Sequence, residues 1–394
     1  MVSIGFVYFC SVIKNNYELQ NDGTMKNILS KRTFIVLPLF LFSLHPLWGQ
    51  KSNFKNDICI PGKLYMLSDI RNDVFVEALI KRWRPYNDFV RFSGDCVYSR
   101  KLNRVASVDT PVDGSNMKIE LVNSDEFEII KEKAISICVG KKGIGTQEVT
   151  VQILGDSFVN GAFFRDALLS KNYIPGIKLV GLRNIKNEEG QYDEGRGGWT
   201  VKKYFEIPKG EMTSYHGYMQ PVGEYRYWGS CEFWKNCYKV INGELTDTEI
   251  VYNCGRYDQC ITKFDKETGY LAAPKKNDLM YDNARGSYMV YTGKKWKNVE
   301  VDERKWAFNY RKYLDMWNLD APKFFAQMLG LNDYRDSLTA DYREWNKKIA
   351  EMKESYYKAV PDGKFIILIP CTTCGSLNNI RGDFTLRQNA SMWQ

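Results

Sequence analysis

Residues 148–169 read EVTVQILGDSFVNGAFFRDALL, and this stretch decides the fold. Apolar positions climb from Val149 to Leu154 and end on Gly155, Asp156 and Ser157. The next segment, 161–171, puts Phe163, Phe164, Ala167 and Leu168 on one face at helical spacing. The pattern predicts a buried strand, a sharp turn carrying Ser157, and a helix. A serine nucleophile in such a turn needs a base, usually histidine. The whole chain has 2 histidines, His45 and His216.

The first of them falls in an export signal. Met25 and Lys26 open a basic stretch that ends at Lys31 and Arg32. An apolar run, TFIVLPLFLFSL, fills 33–44, and Gly49 offers a small residue for cleavage. This is the plan of a secretory signal peptide over 25–50, and the apolar run is short for a membrane span. A retained membrane anchor is the competing reading. Residues 1–24 are expected to lie upstream of the true start at Met25. The mature chain is then secreted or periplasmic, loses His45 and Cys10, and keeps His216 as its single histidine.

Length and composition bound the rest. A chain of 394 residues is expected to form two domains. Acidic residues are interleaved with the basic ones, so the net charge of +8 reads as a solvated surface and not a nucleic-acid stripe. Cys231/Cys237 and Cys254/Cys260 share one spacing. In an exported protein they are expected as disulfides, two local or two crossed. Tetrathiolate zinc is the alternative, at wider pair spacing than usual. Cys371 and Cys374 have redox-motif spacing without a thioredoxin-like unit.

From 51 to 146 short β-like runs alternate with turn signals. KLYML, DVFVEALI, DFVRFSG, MKIELVN and AISICVG are the clearest, which predicts a β-sandwich module. FEIIKEKA (127–134) is compatible with a helix. From 147 the rhythm becomes strand and helix in turn. IKLVGLRN and KFIILIPCT read as strands, APKFFAQMLGLND as strand and turn, and the stretch 302–318 as one helix. EGRGGWTVKKYF reads as a glycine turn entering a helix. Such alternation predicts a parallel α/β sheet covered on both faces. The segment 215–301 breaks the rhythm and reads as an aromatic, cysteine-rich insertion.

Three loops follow strands in the second region: the one with Ser157, the one with Gly197, Gly198 and Trp199, and the one with Asn332 and Asp333. A hydroxyl, an unobstructed backbone N–H and a side-chain amide are the parts of an acyl-transfer site. The serine attacks the carbonyl, and the donors hold the developing oxyanion. Taken singly, such a serine is more often a helix cap, and a glycine pair is usually just a turn. In order and spacing, GDSFVNG, EGRGGWT and GLND resemble the first three blocks of the SGNH, or GDSL-type, esterase/lipase superfamily. The resemblance covers about 148–394, and the preceding β-module resembles one that many secreted members carry. It implies a flavodoxin-like three-layer α/β/α domain that hydrolyses esters, often O-acetyl groups on polysaccharides, with no metal or organic cofactor. It makes Ser157 the nucleophile. The N–H groups of Ser157 and Gly198 and the Asn332 side chain form the oxyanion hole.

The family's Asp-x-x-His element has no match after Asn332. Asp383 is followed by Phe-Thr-Leu, and the last residues stop inside an amphipathic pattern. The expectation is that the acid and base of the triad lie beyond Gln394. His216, in TSYHGY before the third block, is the alternative base or a substrate contact. Tyr225, Tyr227, Trp228, Phe233, Trp234 and Tyr238 crowd 221–240 and suggest either sugar stacking or a disulfide-stapled mini-core. Trp199, Tyr227, Trp228 and His216 are the candidate substrate contacts, and acylated carbohydrate is the expected partner. A non-catalytic carbohydrate- or surface-binding protein on the same fold is the second reading, and a lipid or aryl esterase the third.

Overall fold

The computed structural model describes most of residues 57–368. Residues 1–56 and 369–394 lie outside it, as do short internal stretches, the longest being 82–87, 141–147, 185–189, 246–256 and 335–341. The signal segment, Cys254, Cys371, Cys374 and Asp383 therefore lie outside the described residues. Among the described residues no helix is long and apolar enough to cross a membrane.

The first region is built of strands. Lys63–Leu67, Ile129–Gly140, Asn116–Asn123 and Asp88–Gly94 form one sheet in that order. Asn72–Phe75, Val105–Val108 and Val97–Arg100 form a second. Alternate residues meet in one core, where Met117, Ile119, Ile135 and Ile137 are fully buried beside Ala106 and Val108. The segment compatible with a helix, 127–134, lies mostly in the long strand instead, with Ile119 paired to Lys133. Its alternation continues into buried Ile135 and Ile137, and a period of two serves a one-sided sheet where a helical period does not.

The second region holds a parallel sheet. β1 (Val149–Gly155) leads into α1 (Ser157–Asn160) and α2 (Phe163–Ser170), and β2 (Ile177–Val180) returns beside β1. β3 (Phe324–Met328) lies on the other side of β1, and β4 (Lys364–Ile367) pairs with β3. The order is β2-β1-β3-β4, every pair parallel. The chain thus departs from β1 first to one side and then to the other. Loops after β1 and β3 face one crevice at that switch point.

The two regions share apolar contacts. Phe75 and Val105 of the first pack in one cluster with Val151, Ile153, Leu179 and Met328 of the sheet.

The described residues of the insertion include a sheet, which its aromatic sequence did not announce. Arg226–Ser230, Asp278–Asp282, Ser287–Tyr291 and Trp296–Val299 form a sheet in that order, with α3 (Cys231–Ile241) against it. Met219–Pro221 pairs with Trp306–Phe308. The expected single helix over 302–318 is divided accordingly. Asn309 caps α4 (Tyr310–Trp317) by accepting from the Lys312 N–H at 2.9 Å, and Trp306–Phe308 stays extended. α5 (Tyr342–Ala359) packs on α4.

Among the described residues the insertion has no separate mini-core. Trp234 is stacked on Phe264 at 3.9 Å, and their cluster runs without a break through Tyr215 and Tyr313 to Leu154 and Phe325 of the parallel sheet. A local Cys231–Cys237 disulfide is excluded by α3 itself. Six residues at about 1.5 Å rise set the two Cα atoms about 9 Å apart, beyond the roughly 7 Å reach of a disulfide. No disulfide joins any of the described cysteines Cys138, Cys231, Cys237 and Cys260 to one another.

Candidate active site

Ser157 is the first residue of α1, immediately after β1, and is half-buried. The strand ends and a helix begins at the turn where the sequence placed Ser157. Asp156 caps the helix, its Oδ1 accepting from the Phe158 N–H at 3.0 Å. The Ser157 hydroxyl has no hydrogen-bond partner among the described residues.

The second loop is fixed to the end of β1. β2 stops pairing at Gln152, and the two-residue strand Glu194–Gly195 takes its place beside Leu154 and Gly155. Gly195 has to be glycine, because a Cβ there would lie 2.2 Å from the Asn160 backbone nitrogen. The Arg196 N–H then donates to the Gly155 carbonyl at 2.9 Å. The chain turns through Gly197 and Gly198, where Gly198 takes φ +71° in the left-handed region that favours glycine. Gly198 is exposed, and its N–H has no acceptor among the described residues. Lys202–Phe205 is a single 3₁₀ turn where the sequence suggested a helix.

The third loop closes on the other two. Asn332 Nδ2 donates to the Trp199 carbonyl at 3.0 Å and, more weakly, to Asp156 Oδ2 at 3.4 Å. The Asp333 carboxylate accepts from the Val201 N–H at 3.0 and 3.2 Å. Ser157 at the start of α1, Gly198 in the glycine turn and Asn332 in the short helix Leu331–Tyr334 thus sit on three segments tied directly to one another. Burial raises the Asp156 carboxyl to about 6, against the pull of the Phe158 N–H and with a smaller push from Asp333. Burial likewise raises Asp333 to about 6, against the Val201 N–H.

Beneath the loops lies a buried polar layer that the sequence did not reveal. Glu194 and Arg196 pair at 2.7 Å with both side chains buried. Glu194 also accepts from the Leu182 N–H at 2.6 Å and the Tyr313 hydroxyl at 2.7 Å. Arg196 donates to the Tyr215 carbonyl at 2.6 Å and to Ser214 Oγ at 3.1 Å. The Tyr204 hydroxyl reaches the carbonyls of Gly155 and Glu194 at 2.7 and 2.6 Å. Charged residues in a glycine turn look solvent-facing in a sequence. Here each of them is satisfied by partners from distant segments, as burial requires.

His216 is not the base. It is 1% exposed, and both ring nitrogens are engaged. Nδ1 accepts from the Tyr218 N–H at 3.2 Å, which makes Nε2 the donor to the Glu206 carbonyl at 3.0 Å. Burial pushes the imidazole down to about 3, the Arg196 charge adds to this, and the Glu206 carbonyl opposes it. The same burial removes His216 as a substrate contact. Tyr227 is fully buried, its hydroxyl donating to the Pro208 carbonyl at 2.6 Å, so it does not reach substrate either. Trp199 packs its ring on Tyr204, His216 and Arg196 under the glycine turn. Trp228 lines a different cleft. The aromatic crowding of the insertion serves the core.

No protein-family model and no curated protein matches the chain. Among solved structures it is similar, over 32% of its length and at 12% identity, to a Bacteroides fragilis NCTC 9343 protein provisionally named an alpha-galactosidase. The match spans 28% of that protein with a TM-score of 0.18, too slight a likeness to carry an argument about fold or activity.

Proposed function

We propose that this chain is an SGNH-type serine esterase that removes acyl groups, acetyl foremost, from carbohydrate. The observation that carries the reading is the junction of the three loops, in which Asn332 holds both the Asp156 and the Trp199 segment. The strand order β2-β1-β3-β4 supports the flavodoxin-like assignment, since that fold places its crevice where the order reverses.

Ser157 Oγ attacks the ester carbonyl carbon and gives its proton to a general base outside the described residues, which returns it to the departing sugar oxygen. The N–H groups of Ser157 and Gly198 and the Asn332 amide receive the oxyanion. The sugar alcohol leaves, and water then releases the acyl group from Ser157. The long 3.4 Å contact to Asp156 is the one an oxyanion displaces, because N–H···O bonds weaken at that length. The carbohydrate part of the reading rests on the export signal and the β-module by analogy.

A non-catalytic glycan-binding role is the second reading. It is favoured by His216, the histidine among the described residues, being locked in the core. The test is acetate release from O-acetylated oligosaccharides by the full chain and by Ser157→Ala. Release that disappears with the hydroxyl supports the esterase. Release equal in both proteins, or glycan binding with no release in either, rejects it.

A further inference from the structure

A cleft of about 540 Å³ lies between the insertion sheet and α4, and no residue of the Ser157 site lines it. Its size falls within the roughly 300–1,000 Å³ of small-ligand sites. Its walls combine apolar Leu271, Met316 and the Trp228 indole with charged groups.

Those charges are unevenly satisfied. Asp278 accepts from Arg226 Nε at 2.7 Å, from Trp228 Nε1 at 3.0 Å and from the Lys275 backbone N–H at 2.6 Å. Asp315 pairs with Arg311 at 2.9 Å, and Glu224 accepts from Asn277 at 2.8 Å. Asp278 and Asp315 are therefore paired with guanidinium groups, while Glu224, exposed at the rim, is held by a neutral amide. Among the cations, Arg226 is committed to Asp278 and the Lys276 carbonyl, and Lys312 donates to the carbonyls of Pro221, Gly223 and Tyr225 at 2.7–2.9 Å. Lys263 and Lys275 are different. Among the described residues neither ammonium has a hydrogen-bond or carboxylate partner. Lys263 is half-buried, with its Nζ 5.9 Å from the ring centroids of both Trp228 and Trp317. Aromatic faces hold an ammonium in place without neutralising it. The Trp228 ring is itself pinned by its bond to Asp278, so the charge is presented from a fixed support.

We propose that this cleft is a second binding site, for a saccharide unit bearing a carboxylate or sulfate group. Lys263 and Lys275 supply the missing counter-ions, and Leu271, Met316 and the Trp228 edge meet the apolar face of the sugar. A bare inorganic anion would leave those apolar walls unused. The site shares no residue with the Ser157 loops and does not rest on the esterase reading.

Titration calorimetry of the full chain tests it with four probes: a triuronate, a sulfated trisaccharide, an uncharged trisaccharide and sodium sulfate. At least one charged trisaccharide should bind about tenfold more tightly than the uncharged one, and its affinity should fall with added salt. Which of the two binds identifies the acidic group. Lys263→Gln should cost about tenfold in affinity, and Ser157→Ala nothing. Lys275→Gln, at an exposed ammonium, tests the site even if the Lys263 variant fails to fold. The proposal is overturned by equal binding of the uncharged trisaccharide, equal binding of sulfate alone, no binding of either charged probe, wild-type affinity in the lysine variants, or loss of binding with Ser157→Ala.

Discussion

Asn332 spans the candidate site by donating to the Asp156 carboxylate at 3.4 Å, tying the loop after β3 to the loop after β1. The same amide is the proposed oxyanion donor, so its removal separates catalysis from scaffolding. Asn332→Ala is expected to lower kcat about 10²–10³-fold, as loss of one oxyanion donor does. The buried loop contacts it also makes should cost about 1 kcal/mol of stability. Acetate-release kinetics and urea unfolding measured together check this. A kcat within a factor of two of wild type removes Asn332 from the oxyanion hole.

The buried Asp156 makes stability depend on pH in a definite direction. Its folded-state value, about 6, lies above the ordinary carboxylate value. The folded protein therefore holds a proton that the unfolded chain has released. Its contribution is full below the ordinary carboxylate range and is lost as pH rises through about 6. Asp156→Asn should flatten the fall in stability between about pH 4 and 6. Urea midpoints at several pH values decide it, and identical slopes in the two proteins count against a buried carboxyl here.

His216 acts with the opposite sign. Its folded value of about 3 lies below the ordinary imidazole range. Its contribution is full above about pH 6.5 and is lost as pH falls towards 3, at up to about 1.4 kcal/mol per pH unit. The ring resonances should not titrate between pH 5 and 8 in NMR spectra of the native protein. His216→Gln should reduce the acid sensitivity. A midpoint near 6.5 would show an accessible imidazole and reopen its role as base.

Gly195→Ala puts a methyl group 2.2 Å from the Asn160 nitrogen and 2.6 Å from the Val159 carbonyl carbon. Neither is the end of a flexible side chain, so α1 must move away from Glu194–Gly195. The expected cost is about 2–3 kcal/mol, with the proposed esterase activity falling as the second loop shifts. Thermal unfolding reads the cost, and an unchanged melting temperature contradicts the close approach.

Peptide mapping without reduction should recover no Cys231–Cys237 bridge, because α3 holds the two too far apart. Finding that bridge would mean that α3 is unwound in the protein.

The sequence carried the local features well. Alternation marked the module strands, as in Lys63–Leu67 and Asp88–Gly94, and the run from Val149 marked β1. The turn after β1 was legible as well, but the structure makes Asp156 and not Ser157 the cap, its carboxylate accepting the Phe158 N–H, and starts the helix at Ser157 instead of near 161. Gln152 shows the limit. It sits in an apolar run as a polar exception, yet it is fully buried, accepting from Tyr310 at 2.7 Å and donating to Tyr313 at 3.0 Å. Those partners lie over 150 positions away, beyond any periodicity.

Sequence by itself determined most of the module strands, the strand and turn that end at Ser157, and which three short blocks carry a hydroxyl, an open N–H and an amide. Only the tertiary structure decided that Glu194–Gly195 docks on β1, that Arg196 is a buried partner of Glu194, and that His216 and Tyr227 belong to the core. The physical reason is one of range. Propensity and capping act over a few residues and are written in order along the chain. Burial of a charge or a ring is settled by whatever distant segments pack against it, and the order of residues does not encode that locally.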